Sequence, residues 1–265
     1  RERLIPRGGR VLVALSGGAD SVALTLVLRE LASPSTFTLA GVVHLNHQLR
    51  DAATEDERFC RAFAEGLMLP VTVERADVAA RSRHDMVSIE EAGHRERYAL
   101  FERMIRQGKA DRVATAHTRD DQAETYLLRA IRGAGPTGLS GIQPRSGSVI
   151  RPFLGAYRSD LRAFLADRGQ TFREDETNQD LGITRNRVRH RLIPFLTEHF
   201  SPSIVDVLAR EAAIARGDAE WLEAAANDVA AAIVSSGEGW ASVDVEALGR
   251  QPLALARRGC KCALG

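Results

Sequence analysis

The chain has 265 residues, room for one large domain or two smaller ones, and its 44% hydrophobic and 27% charged residues are the balance of a globular protein. A formal net charge of +1 gives no global signal for nucleic acid, three cysteines are too few for a disulfide framework, and no apolar run reaches membrane-spanning length. No signal peptide opens the sequence, so a cytoplasmic location is expected; the chain begins without Met and ends abruptly, so truncated termini are expected too.

In chain order, Val11–Leu15 reads as a buried strand and Ser21–Leu31 as a helix, with Ser16-Gly17-Gly18-Ala19-Asp20-Ser21 turning between them. Two glycines let successive N–H groups converge, and the helix N-terminus adds its positive end. Such a cup suits a phosphate or pyrophosphate, with Ser16 and Ser21 as hydroxyl donors and Asp20 as a Mg²⁺ ligand at the rim. The Walker pattern is absent, and the only lysines, Lys109 and Lys261, lie far from the loop. A tight turn with a Ser cap is the plain alternative.

Residues 39–45 read as a second buried strand running into His44-Leu45-Asn46-His47-Gln48-Leu49-Arg50, Thr54–Gly66 as a helix, and Val71–Glu74 as a short strand. Ser88–Gln107 is a predicted helix, Arg112–Ala116 a strand and Thr118–Arg132 a helix. This alternation predicts a doubly wound, Rossmann-like parallel α/β sheet with ligands at the carboxyl ends of its strands. His44 and Asn46 share a face there and could line a nucleotide site; His44 and His47 lack a third ligand for a metal. Residues 132–155, rich in Gly and Pro, read as a long loop with short pieces of structure, a candidate binding region or lid. Ser159–Arg168 is a helix that Ser159 could cap, and Arg185–Glu198 is helical, where Pro194 could make a kink or a break. From Ser201 onward the pattern is helical. Two domains are expected: residues 1–200, and a smaller α-helical domain over 201–265, truncated.

Three constellations carry chemistry. His117, Asp120, Asp121, Glu124 and Thr125 follow the fourth strand; Asp121, Glu124 and Thr125 share a helical face and could bind Mg²⁺, orient an amine or accept its proton. Thr118 and Asp121 could equally form a cap. Glu91, Arg95 and Tyr98 lie near one helix face, a pattern that a salt-bridged surface also explains. Arg185, Arg187, Arg189 and Arg191, with Arg129, Arg132, Arg145 and Arg151, could bind polynucleotide phosphates, or pair with Glu174, Asp175 and Glu176. Cys260-Lys261-Cys262 lacks a second pair for zinc.

Together the Ser16–Ser21 loop, His44–Arg50, Glu91–Tyr98, Ala114–Gly141 and Asp175–Pro194 resemble, in order and spacing, the N-type ATP pyrophosphatases, and within them the tRNA(Ile)-lysidine synthetases. The likeness spans roughly residues 8–200. Thr118 departs from it, standing where that family usually has a second His, and Arg258–Cys262 does not read like the family's helical continuation. The resemblance implies a ligase that uses ATP and Mg²⁺ to adenylate carbon-2 of the wobble cytidine in tRNA(Ile) with a CAU anticodon. Free L-lysine is then joined there, and pyrophosphate and AMP are released. It implies ATP on Ser16, Gly17, Gly18, Ala19, Asp20, Ser21, His44 and Asn46, and metal on Asp20 and Asp121. The catalytic or lysine-binding groups would be Asp20, Asp120, Asp121, Glu124 and His117. Arg151, Arg185, Asn186 and Arg189 would hold tRNA; the enzyme could be a homodimer and needs no membrane. A tRNA 2-thiolation enzyme of the same superfamily is the nearest alternative, though Cys60 is the one cysteine in the catalytic part. A small-molecule amidating ligase and a non-catalytic nucleotide-binding protein are others.

Overall fold

The computed structural model describes residues 4–48, 52–174, 179–237 and 240–264, the backbone alone being described at 52, 236 and 259–264. Its centre is a six-stranded sheet built from β1 (Arg10–Ala14), β2 (Thr38–Asn46), β3 (Val71–Arg75), β4 (Arg112–Ala114), β5 (Arg145–Ser146) and β6 (Val149–Ile150). The order is β3-β2-β1-β4-β6-β5, with every pairing parallel except the β5–β6 hairpin. This is the doubly wound topology the β-α-β-α order predicts.

Strand alternation explains why both faces are covered. Val11 and Val13 join Leu24 and Leu28 of α1 (Ala19–Leu31) and Leu161 and Leu165 of α7 (Arg158–Ala166) in one cluster. Leu12 points the other way, packing with Val43, Val113, and Leu100 and Met104 of α4 (Ile89–Arg106). Gly41, at φ +138°, marks a bulge: a Cβ there would lie 2.3 Å from the Pro70 carbonyl oxygen, which accepts the Val42 N–H at 2.8 Å.

The remaining elements are α2 (Ala52–Gly66), α3 (Val78–Asp85), α5 (Arg119–Ile131), α6 (Pro136–Leu139), α8 (Thr184–Arg187), α9 (Ile193–His199), α10 (Ile204–Ile233), the hairpin β7 (Val234–Gly237) and β8 (Trp240–Val243), α11 (Val245–Gly249) and α12 (Leu253–Leu264). Several differ from the sequence reading. Helix α3 was not expected; the Asp77 carboxylate caps it by accepting the Ala80 N–H. Ser159 does not cap α7, whose first residue is Arg158. The break expected at Pro194 is a π-helical turn over Val188–Leu192, just before a proline that cannot donate to the preceding turn. The Gly/Pro-rich stretch carries short pieces of structure as expected, α6 and the β5–β6 hairpin, whose second strand extends the sheet beside β4.

The chain forms two compact units, Arg1–Gln122 with Ile142–Phe195, and Ala123–Gly141 with Leu196–Gly265. The first holds the sheet; the second is largely helical, dominated by the 30-residue α10. Leu49, Arg50 and Asp175–Asn178 lie outside the described residues, as do the side chains of Cys260, Lys261 and Cys262.

Candidate active site

The glycine turn closes as the sequence suggests. Gly17 takes φ +91°, open to glycine and strained for other residues; a Cβ there would make only ordinary contacts with Phe59, Cys60 and Arg173, so the backbone conformation is what calls for glycine. Gly18 occupies the N-cap of α1 with no side-chain cap, leaving first-turn N–H groups for a ligand. The Ser21 hydroxyl donates to the Gly18 carbonyl at 2.9 Å and accepts the Ser16 N–H at 3.2 Å, and the two serine hydroxyls lie 3.1 Å apart. Arg173 braces the outer wall: its N–H donates to the Gly17 carbonyl at 2.9 Å, and its guanidinium binds Glu55 and Asp56 of α2.

Beside this cup, the first turns of α1, α5 and α7 gather carboxylates and guanidiniums. Asp121 and Thr118 form a reciprocal capping box: the Thr118 N–H and hydroxyl each donate to Asp121 Oδ2 at 2.8 Å, and the Asp121 N–H donates back to Thr118 Oγ1 at 3.3 Å. Asp121 Oδ1 meets Arg158 Nη2 at 2.9 Å, Arg185 Nη2 at 3.3 Å and Arg189 Nη2 at 3.5 Å. Arg158 Nε also lies 3.4 Å from Asp20 Oδ2, while Asp20 Oδ1 is buried with no hydrogen-bond partner.

These surroundings separate the two carboxylates. Burial raises Asp20 to about 6; Arg158 opposes this and the Asp121 charge adds to it. Burial also pushes Asp121 up, but Arg158, Arg185, the Thr118 N–H and His117 outweigh it and hold Asp121 below the usual range. The same arginine acts on both, more strongly on Asp121 because it sits 0.5 Å closer there (3.4 against 2.9 Å).

Three histidines line this end of the sheet and stay neutral near pH 7. Burial lowers His117 to about 4, helped by Arg151, Arg185 and Arg97 against the pull of Asp121; its Nδ1 lies 3.1 Å from Thr115 Oγ1. His44 is lowered by burial and donates from Nδ1 to the Leu15 carbonyl at 2.8 Å, tying β2 to the entry of the loop. Its Nε2 is buried and unpartnered, as is His47 Nδ1; burial, Arg97 and His44 lower His47 to about 4.

Other expected residues are committed elsewhere. Asn46 donates to the Ala53 carbonyl and to Glu57 while its oxygen accepts the Gln48 N–H, so its side chain is a structural staple. One Asp120 oxygen accepts the Arg158 N–H at 2.8 Å and fixes the start of α7. Glu124 is fully buried one turn beyond Asp121 on α5.

The arginines expected to hold tRNA have partners within the protein. Arg151 is buried: it donates to the Gln143 carbonyl at 2.7 Å and to the Tyr98 hydroxyl at 2.6 Å. Asn186 is buried as well, donating to the Asp180 carbonyl at 2.9 Å. Arg129 holds the carbonyls of Gly138 and Gly141, and Arg187 those of Leu181 and Gly182. Arg185 and Arg189 turn toward Asp121, while Glu174 pairs with Arg162. Glu91 and Arg95 form an exposed pair one turn apart, as a salt-bridged surface helix would. Sequence reasoning missed Arg158 and Arg173. Arg158 meets its partners across 37 and 138 residues, a separation that no local pattern marks.

A family model described as the PP-loop domain matches residues 4–196. The tRNA(Ile)-lysidine synthase of Geobacter sulfurreducens is 41% identical over 255 residues, covering 95% of this chain and 54% of that protein. The protein of the same name from Thermosynechococcus vestitus is 35% identical over 267 residues, covering 99% and 75%. The chain spans about half the length of several of the curated relatives it matches. In fold it is similar to a U34-tRNA thiolase from Methanococcus maripaludis, with a TM-score of 0.64 at 16% identity, covering 78% of this chain and 72% of that one.

Proposed function

Because the chain belongs to the PP-loop tRNA(Ile)-lysidine synthase family, we propose that it forms part or all of an enzyme that adenylates carbon-2 of the wobble cytidine in CAU-anticodon tRNA(Ile) and joins L-lysine there. The observation that carries the reading is the placement of the Gly17–Gly18 cup beside the Asp20–Asp121 pair and its three arginines.

In this reading ATP lays its pyrophosphate on the N–H groups of the Ser16–Ser21 turn, with the Ser16 and Ser21 hydroxyls as further donors. Arg158, Arg185 and Arg189 stabilise the charge that builds on the α-phosphate as the cytidine carbonyl oxygen attacks and pyrophosphate leaves. The lysine ε-amine then adds at carbon-2 and AMP departs. Mg²⁺ fits the same residues: Asp20 offers a buried oxygen with no partner, and Asp121 is a second hard oxygen donor. Held by Asp20 and Asp121, it would supply countercharge to the phosphates.

His117, at about 4, and Asp121, depressed by its arginines, are weak proton acceptors for an amine whose ordinary pKa is about 10.4. Their part is to bind and orient the amine rather than to act as a base tuned to neutral pH. A thiolation route finds no support in Cys60, which is buried behind Gly17 with its thiol pushed up to about 12, against the thiolate that such chemistry needs. A tRNA substrate places the activity in the cytoplasm; no described helix is long and apolar enough to cross a membrane.

The test is ATP-dependent incorporation of labelled lysine into tRNA with a CAU anticodon, with methionine-accepting tRNA as control. Selective incorporation supports the reading. Pyrophosphate release without lysine incorporation would mean another nucleophile, and neither signal from a folded sample would overturn catalysis by this chain alone.

A further inference from the structure

Asp121 presents its two oxygens differently. Oδ2 is saturated by the Thr118 N–H and hydroxyl, both at 2.8 Å. Oδ1 carries the cationic contacts, to Arg158, Arg185 and Arg189. Arg158 makes the shortest of these contacts and reaches on to Asp20, so its guanidinium lies between the two carboxylates assigned to the metal. Its backbone N–H is pinned by Asp120 at the first residue of α7. The main chain is therefore anchored, so displacing the guanidinium requires movement of the side chain alone.

A divalent cation shared by Asp20 and Asp121 would sit where the Arg158 guanidinium lies against both carboxylates. At about 4 Å two positive charges repel strongly in a half-buried site. We propose that Arg158 is a placeholder for the divalent cation: it neutralises Asp20 and Asp121 until metal displaces it, and the displaced guanidinium turns to the nucleotide phosphates. Three consequences follow from the geometry. Asp20 and Asp121 stay in register without metal. Metal alone binds weakly, because it must evict a resident charge. Nucleotide and metal load together, because the phosphates offer the evicted arginine a new partner.

The proposal rests on the reading of Asp20 and Asp121 given above, and its test does not depend on turnover. Mn²⁺ alone is titrated into the nucleotide-free full chain, with free Mn²⁺ followed by electron paramagnetic resonance. Arg158→Gln should bind Mn²⁺ about tenfold tighter than wild type, and Arg158→Lys, a point charge without the second prong, should fall between. The Mg²⁺ concentration for half-maximal pyrophosphate release should drop in Arg158→Gln even though kcat falls; an arginine that merely stabilised the fold would not tighten metal binding. Equal or weaker Mn²⁺ binding by both variants overturns the proposal, and so does an equal gain in Arg185→Gln, which would make the effect one of general charge. If circular dichroism shows that Arg158→Gln does not fold, Arg158→Lys decides, and no gain there overturns the proposal. Lysidine formation by wild type with unchanged Mn²⁺ affinities would sink the placeholder alone. Tighter Mn²⁺ binding without pyrophosphate release from wild type would sink the catalytic reading alone.

Discussion

Asp20→Asn should make the nucleotide-free protein more stable at neutral pH while removing its activity. Burial raises the Asp20 carboxyl from 3.8 to about 6 in the folded chain. The unfolded chain ionises this group near 3.8, so the stability that protonation brings is complete below that value and is lost as pH rises through about 6. At neutral pH the ionised carboxylate therefore works against the fold. The rise from 3.8 to about 6 corresponds to about 3 kcal/mol as an upper bound. The side chain is 25% exposed, so screening reduces this to about 1–2 kcal/mol. Asparagine keeps the shape and cannot ionise. In EDTA without nucleotide, its melting temperature at about pH 8 should exceed wild type by about 2–8 °C. At about pH 4.5 the gain should shrink by roughly two-thirds, because wild-type Asp20 is then mostly protonated in the folded state. Thermal or urea denaturation at both pH values, beside pyrophosphate release, is the assay. A variant no more stable than wild type at pH 8, or a gain equal at both pH values, would refute the claim that burial without a full set of partners governs Asp20.

Gly17→Ala forces a side chain onto a φ of +91°; pyrophosphate release should fall about five- to hundredfold for a strain of about 1–3 kcal/mol, checked by steady-state kinetics beside a melting curve. Thr118→Val removes one half of the capping box while keeping the shape; a loss of about 1 kcal/mol by urea denaturation is expected, with a weaker pyrophosphate signal because Asp121 loses a fixed donor. Arg151→Ala leaves the Gln143 carbonyl and the Tyr98 hydroxyl without their buried donor; it should cost about 2–4 kcal/mol in stability, while tRNA affinity measured per folded molecule stays within about twofold.

The parallel sheet covered on both faces was legible because strand alternation and helix periodicity are local. Val11, Leu12 and Val13 are apolar on both faces, which is what a strand covered by helices on each side requires. The glycine turn and the Thr118–Asp121 box were legible for the same reason: each is a contact within five residues, carried by residue types with few other uses at those positions. The arginines were not. A run of four arginines in seven residues suggests a charged surface, yet Arg185 and Arg189 turn to a carboxylate more than 60 residues away. Arg151, from the glycine-rich stretch, ends buried under α4 against Tyr98. Sequence gives the number of charges but not which way a long side chain folds back, and a guanidinium with five donors can serve carbonyls as readily as phosphates. Arg158 shows the limit most sharply. It looks like an ordinary helix-opening residue beside Ser159 and Asp160, and its importance arises only because Asp120 pins its N–H while α1 and α5 bring Asp20 and Asp121 to its side chain. Where a site is made by three helix N-termini converging from distant parts of the chain, the positive ends and the carboxylates that answer them can be read locally. The cation that balances those carboxylates is chosen by the tertiary fold.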